Sequence, residues 1–301
     1  MAAILVAATV AAGCGGGGGG STPSGSGLTP AVQQRQINVD GVVRSYRVFA
    51  PPTVGGRQRT PLLVVLHGGG DSVQSTVDTT MFDQQAEKGN FVAVYPQGTR
   101  LEWNAGFCCG SAPERKVDDV GFLDKMLDRV EADYPIDTTR VFLTGVSNGA
   151  MLAYVYACQH ADRVTAVGSV AGSMVLDNCH PSRPVSVLEV HGTQDPLVPY
   201  QGGHVDQSIA PPVLTPDYPS AAALAQRWAD LDTCPAPSTP SANGPVSTET
   251  WTACARGSEV SLVTVNGGGH VWFAPGLGTA DGALDATGLI WQFFSSLHPS
   301  S

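Results

Sequence analysis

From residue 62 onward, short unbroken apolar runs alternate with longer stretches whose apolar residues recur every three or four positions. Leu62-Leu63-Val64-Val65-Leu66 is the clearest run. A strand reads this way when both its faces are buried, as in a parallel sheet. Residues 91–95, 141–143, 164–170 and 185–190 are of the same kind, and 260–265 makes a last strand. Ahead of them, residues 37–39 and 42–49 flank Asp40-Gly41, a tight-turn dipeptide that predicts a hairpin.

The longer stretches have helical spacing. Val117, Val120, Leu123, Met126, Leu127 and Val130 line one face, with Asp118, Asp119, Asp124, Lys125, Asp128 and Arg129 on the other. Asp118 and Asp119 suit a helix start, where acidic groups meet the positive end of the dipole, and are not expected to be catalytic. Residues 149–160, 220–232 and 283–297 predict further helices. Alternation of this kind predicts an α/β fold, a mostly parallel central sheet with helices on both faces. No internal repeat is visible. The Pro-rich stretches 196–219 and 235–245 read as long loops, and the first is placed to line a cleft.

Composition narrows the setting. The 301 residues suffice for one large domain or two small ones, and for a substantial core. With 42% hydrophobic and 14% charged residues, disorder is excluded, and no late apolar run is long enough to span a bilayer. A net charge of -10 repels nucleic acid, so none is expected as a partner. Residues 2–12 are apolar apart from Thr9 and end at Gly13-Cys14, the length of a signal-peptide core. Small residues before a cysteine resemble a bacterial lipoprotein cleavage box, which would make Cys14 the lipidated first residue. The alternative is an ordinary secretory signal cut nearby. Both readings export the chain, as a secreted or lipid-anchored protein of the bacterial cell envelope. Residues 15–27 form a Gly/Ser/Thr/Pro tract that acts as a flexible tether. The expected division is signal at 1–14, tether at 15–29 and folded domain at 30–301.

Setting Cys14 aside, Cys108, Cys109, Cys158, Cys179, Cys234 and Cys254 are an even set, which in an exported protein suggests disulfides. Many pairings are open to six cysteines. The expected scheme joins Cys158 to Cys179, tying the helix after Ser147 to the loop after the next strand. Cys234 to Cys254 closes the Pro-rich loop before the last strand, and Cys108 to Cys109 is left by elimination. Neither CxxC nor HExxH spacing is present, so no metal site is expected.

Gly145-Val146-Ser147-Asn148-Gly149 follows a strand and opens a helix, the setting of a nucleophile elbow. In a glycine-rich chain the bare pattern is weak, and the strand–turn–helix setting raises it. A serine hydroxyl needs a base, and in this layout the order is serine, acid, histidine. The strand at 185–190 runs into His191-Gly192-Thr193-Gln194-Asp195, and the strand at 260–265 runs into Asn266-Gly267-Gly268-Gly269-His270. Ser147 is therefore the expected nucleophile, His270 the base and Asp195 the acid that orients it. His191, at a strand end, reads as structural. His204, His298 and Asp206 lack the strand-then-glycine setting, while His160 and His180 precede Asp195. His67-Gly68-Gly69-Gly70 follows the strand at 62–66 and suits one half of an oxyanion hole. Its donors would be the N–H of Gly69, or of Gly70, and that of Asn148. Trp103, Tyr200 and Trp272 are candidates for an aromatic substrate wall, with a core role equally open to Trp103.

These runs together, with Trp103-Asn104-Ala105-Gly106, Cys108-Cys109-Gly110, Val117-Asp118-Asp119-Val120-Gly121-Phe122 and Gly267-Gly268-Gly269-His270-Val271-Trp272, resemble the polyhydroxybutyrate depolymerase and feruloyl esterase family of secreted esterases. The resemblance covers about residues 35 to 297. It implies an α/β-hydrolase fold, hydrolysis of carboxylic esters and no cofactor. Relatives often carry a Thr-Trp-Pro run where this chain has Val271-Trp272-Phe273. Within that family the expectation is a monomeric feruloyl or acetyl esterase of plant polysaccharide. A compact cleft of Trp103, Tyr200 and Trp272 would stack on one phenolic ring, and the tether has no aromatic residue to grip a solid polymer. Polyhydroxybutyrate depolymerase is the alternative. A surface-tethered binding protein on a hydrolase fold is the non-enzyme alternative, opposed by the complete set of Ser147, Asp195 and His270. Activity is expected to fall below about pH 6, where a protonated histidine cannot act as base.

Overall fold

The computed structural model describes residues 31–297, except 56–57, 107, 109, 177, 206–215 and 238. The signal and tether, Cys14, Cys109, Asp206 and His298 lie outside the described residues, as does the middle of the loop 196–219.

Among the described residues, ten strands form one mixed sheet. They are β1 (Ala31–Val39), β2 (Val42–Ala50), β3 (Thr60–Leu66), β4 (Val92–Pro96), β5 (Ile136–Val146), β6 (Ala166–Val170), β7 (Ser186–Gly192), β8 (Ser241–Asn243), β9 (Val246–Trp251) and β10 (Val260–Val265). Their spatial order is β1-β2-β4-β3-β5-β6-β7-β10-β9-β8. The central run from β4 to β10 is parallel, and antiparallel strands flank it on both sides. The hairpin expected around Asp40-Gly41 joins β1 to β2, and both turn residues have positive φ, 50° and 90°.

The buried strands explain the unbroken apolar runs. Successive side chains point to opposite faces, so both sets need cover. Leu62, Val64 and Leu66 pack with Phe122, Leu152 and Trp228, from helices α3 (Asp119–Asp133), α4 (Asn148–Gln159) and α5 (Ala221–Leu231). Leu63 and Val65 pack with Phe82, Ile290 and Trp291, from α2 (Phe82–Gly89) and α6 (Ala286–Ser296).

Three features differ from the sequence expectation. Helices α1 (Val73–Thr80) and α2 were not foreseen, because Val73, Val77, Phe82 and Ala86 are too sparse for a periodic stripe. The segment read as a loop at 235–245 contains β8 and leads into β9, neither of them foreseen, while 260–265 is the last strand of the chain as expected. At the start of α3, Asp118 caps the helix as expected, accepting the Gly121 N–H at 2.8 Å. Asp119 is instead buried and paired with Arg44 at 2.6 Å, while its other oxygen accepts the Asn104 N–H.

Disulfides join Cys158 to Cys179 and Cys234 to Cys254, as expected. The first ties the end of α4 to the segment after β6, and the second brackets β8 and β9. The remaining expected pair falls on Cys109, outside the described residues.

Candidate active site

Residues 145–149 form the bend from β5 into α4. Ser147 has φ 54° and ψ -124°, a region that side chains other than glycine rarely occupy. Its N–H donates to the Val170 carbonyl at 2.9 Å, and the residue is half-buried. The flanking glycines are required by crowding. A Cβ on Gly145 would lie 2.8 Å from the Gly149 carbonyl carbon and 2.9 Å from Leu66 O. One on Gly149 would lie 2.4 Å from His67 O. Thus α4 lies directly against the end of β3, which carries the His67 loop.

That proximity brings the two oxyanion candidates together. A Cβ on Gly69 would stand 3.5 Å from the Asn148 Cβ. The Gly70 N–H is committed to Leu101 O at 2.7 Å, which leaves Gly69 as the candidate donor of this loop. Asn148 is fixed through its side chain: Oδ1 accepts the Trp103 N–H at 2.8 Å, and Nδ2 donates to Trp103 O at 3.0 Å. Trp103 also donates from Nε1 to His67 O at 2.9 Å, and its ring lies 4.6 Å from the His67 ring. His67 Nδ1 donates to Gly68 O, and Nε2 accepts the Gly98 N–H. Burial lowers its pKa, which agrees with the neutral ring those bonds require.

Trp103 is therefore a strut behind the oxyanion candidates. It is fully buried and offers no surface for a substrate wall. Trp272 is also buried, its Nε1 donating to Thr287 Oγ1 at 3.0 Å and its ring edge-on to Phe82. Tyr200 is half-buried, its hydroxyl 2.7 Å from Thr264 Oγ1. The aromatic wall expected from these three residues does not form.

Asp195 and His270 follow neighbouring parallel strands, β7 and β10, and their loops are stitched together. Gln194 N–H donates to Gly268 O at 2.9 Å, and Gly267 N–H to Thr193 Oγ1 at 2.8 Å. A Cβ on Gly192 would sit 2.3 Å from Gly268 O, so the loops meet this closely because Gly192 has no side chain. Within this frame His270 Nδ1 lies 2.7 Å from Asp195 Oδ2. The other carboxylate oxygen accepts the N–H groups of Leu197 and Val198, each at 2.8 Å. Burial would raise the Asp195 pKa, but bonds from His191 and His270 outweigh it and hold the carboxyl well below the usual carboxylate range. Nδ1 is thus placed to donate to the carboxylate, which leaves Nε2 as the ring's other nitrogen.

Two contributors had no sequence signal. Asp281, on a short turn before α6, accepts the Gly269 N–H at 2.8 Å and anchors the His270 loop. The Asn148 side chain, overlooked in favour of its backbone N–H, does the same for the elbow. A cavity of about 380 Å³ lined by Asp40, Arg44, Thr99, Arg115 and Lys116 lies beside the β1–β2 hairpin and includes none of these groups.

The sheet order, with a strained serine bend between β5 and α4, defines the α/β-hydrolase fold. Residues 44–209, more than half the chain, match the family model described as esterase PHB depolymerase, and the chain belongs to that family. It is 26% identical over 263 residues to a bifunctional acetylxylan esterase/xylanase of Neocallimastix patriciarum, covering 82% of this chain and 35% of that one. It is 28% identical over 239 residues to feruloyl esterase B of Piromyces equi, covering 75% and 42%. The chain thus spans well under half the length of those two relatives. A putative esterase, NocK, of Nocardia uniformis subsp. tsuyamanensis is 29% identical over 79% of this chain and 73% of its own. Among solved structures, an acetyl xylan esterase from Aspergillus awamori superposes with TM-score 0.61 at 14% identity, over 88% of this chain and 99% of that one. That likeness establishes the fold.

Proposed function

We propose that the chain is a serine esterase working through an acyl-enzyme, with Ser147 as nucleophile, His270 as base and Asp195 as its orienting acid. The observation that carries the reading is the 2.7 Å His270–Asp195 contact, with the backbone-strained Ser147, Asp195 and His270 each following the carboxyl end of a parallel strand of one sheet. His270 Nε2 takes the Ser147 proton while Oγ attacks the ester carbonyl. The N–H groups of Gly69 and Asn148 hold the oxyanion, and His270 returns the proton to the leaving alcohol. Water then attacks the acyl-enzyme through the same base, freeing the acid. The cycle draws only on these side chains and backbone donors.

The substrate class is a feruloyl or acetyl ester of plant polysaccharide. Support comes from the names of the relatives, an acetylxylan esterase and a feruloyl esterase, and no longer from stacking aromatics. The family description favours a polyester as the second reading. The two disulfides suit an oxidising compartment, and so an exported protein, with lipidation at Cys14 as one route of retention.

The test is a panel of methyl ferulate, acetylated xylan, p-nitrophenyl acetate and butyrate, and polyhydroxybutyrate film. Turnover of the first two without film clearance is expected. Clearance of film with no acid released from either would reverse the substrate assignment. Absence of turnover and of an acyl burst on the whole panel would remove the enzymatic reading.

A further inference from the structure

A second histidine approaches the Asp195 oxygen that His270 meets, and it sits in a wholly buried cluster. The side chain of His191, near the end of β7, is 2% exposed, and those of Glu189 and Asp195 are 0% exposed. Glu189 and His191 are two residues apart on one strand, so they share a face of the sheet. His191 Nδ1 lies 2.8 Å from Glu189 Oε1. His191 Nε2 lies 2.8 Å from Val198 O and 3.4 Å from Asp195 Oδ2. From α4, the Tyr154 hydroxyl donates to Glu189 Oε2 at 2.7 Å.

We propose that His191 is a positioning residue for the Asp195–His270 pair, held as a buried imidazolium between Glu189 and Asp195. It rests on the reading of Asp195 and His270 given above. The first ground is hydrogen-bond accounting. Both ring nitrogens face oxygen acceptors, so a neutral ring would aim a lone pair at one of them. Two N–H groups satisfy the geometry. The second ground is mechanical. The Val198 carbonyl is bound by His191 while the Val198 N–H binds Asp195 Oδ1, so the ring pins the turn that aims the carboxylate. The third is electrostatic. Burial alone would lower the His191 pKa, but Asp195 and Glu189 offset it and push it up to about 10.

Around this cation stand Glu189 with Tyr154 behind it, Asp195 with His270 beyond, and Tyr200 edge-on at 5.8 Å. Tyr218 faces Asp195, its own pKa pushed up to about 12, first by burial and then by that carboxylate. The cation therefore acts through Asp195. It keeps that carboxylate ionised, and its positive charge acts on the Asp195–His270 pair with a sign opposite to that of Glu189. Removing one charge or the other should move the acid limb of kcat/KM in opposite directions.

Three measurements test this. In 15N-histidine-labelled wild-type protein at pH 8, His191, assigned through its own backbone, should show the two-nitrogen imidazolium pattern. His191→Gln should move the acid limb of kcat/KM up by about one pH unit and lower kcat with little change in KM. Glu189→Gln should move it down. A neutral-ring pattern for His191 at pH 8 overturns the proposal, as does an acid limb unmoved in both variants. If either variant fails to fold, the wild-type spectrum alone decides. The spectrum should be the same in Ser147→Ala, so loss of the esterase reading and loss of this one are separately visible.

Discussion

The bend around Ser147 depends on the absence of a single methyl group, and Gly149→Ala measures that dependence. The added Cβ would stand 2.4 Å from His67 O and 2.6 Å from Leu66 O, against about 3.3 Å for the closest ordinary C···O contact. Relief requires a shift of about 0.9 Å between α4 and the end of β3. Both obstacles are backbone, so no side chain can rotate away. Overpacking of this kind costs about 1–3 kcal/mol, and the rigid neighbours place this site near the upper end. The melting temperature should fall by roughly 5–10 °C. The shift also separates Gly69 from Asn148, and a misplacement near 1 Å costs about 100-fold in rate. The assay is kcat and KM on p-nitrophenyl acetate, beside thermal melting and titration of Ser147 with a fluorophosphonate. The loss should appear in kcat, with the serine still titratable. A variant within twofold of wild-type kcat/KM and about 2 °C of its melting point would refute the argument.

Ser147→Ala should abolish ester turnover while leaving the melting temperature within a few degrees, since in the proposed mechanism the hydroxyl supplies the covalent bond and little packing; a wild-type rate removes the assigned nucleophile. Asp195→Asn keeps an oxygen for the Leu197 and Val198 N–H groups but can set an amide against His270 Nδ1, reversing the tautomer. A loss of about 10⁴-fold in kcat is expected, and a loss under tenfold argues against the role. Asp232 is buried with one carboxylate oxygen unpartnered, and burial raises its pKa to about 6. Its ionised form destabilises the fold above pH 6, and the penalty fades as pH falls through 6 toward the unfolded value near 4. Asp232→Asn should therefore stabilise the protein by up to about 3 kcal/mol at pH 7.5 and by little at pH 4, checked by denaturant melts at both. Replacing Cys234 and Cys254 together by serine should cost about 3 kcal/mol and leave kcat unchanged, because the bridge brackets β8 and β9 and touches none of the assigned groups.

How much of this was legible in the chain depends on what each part needs from its neighbours. The central strands declare themselves because two buried faces demand continuous apolar residues, as at Leu62 to Leu66. The glycines at 145, 149 and 192 declare close backbone approaches and Gly267 a positive φ of 79°, and so marked the loops that carry Ser147, Asp195 and His270. The β9 strand was hidden because Ser247, Thr248, Glu249 and Thr250 are only half-buried and carry no apolar alternation. Trp272 misled, while Trp103 took the core role left open to it; both satisfy their N–H groups inside the fold, and nothing local separates that use from a cleft wall. The Glu189–His191–Asp195 cluster was likewise silent. A strand-end histidine looks the same whether its ring meets solvent or two carboxylates.

The hairpin of β8 and β9 has a consequence for motion. Sheets loosen from their margins, where one side of each ladder lacks a partner. With β9 paired to β10 along residues 246–251, the strand that delivers His270 has neighbours on both flanks, and fraying is confined to three exposed residues at 241–243. Amide exchange should therefore be slow in β10 and fast in β8, and the spacing between His270 and Asp195 should hold steady while the margin opens and closes.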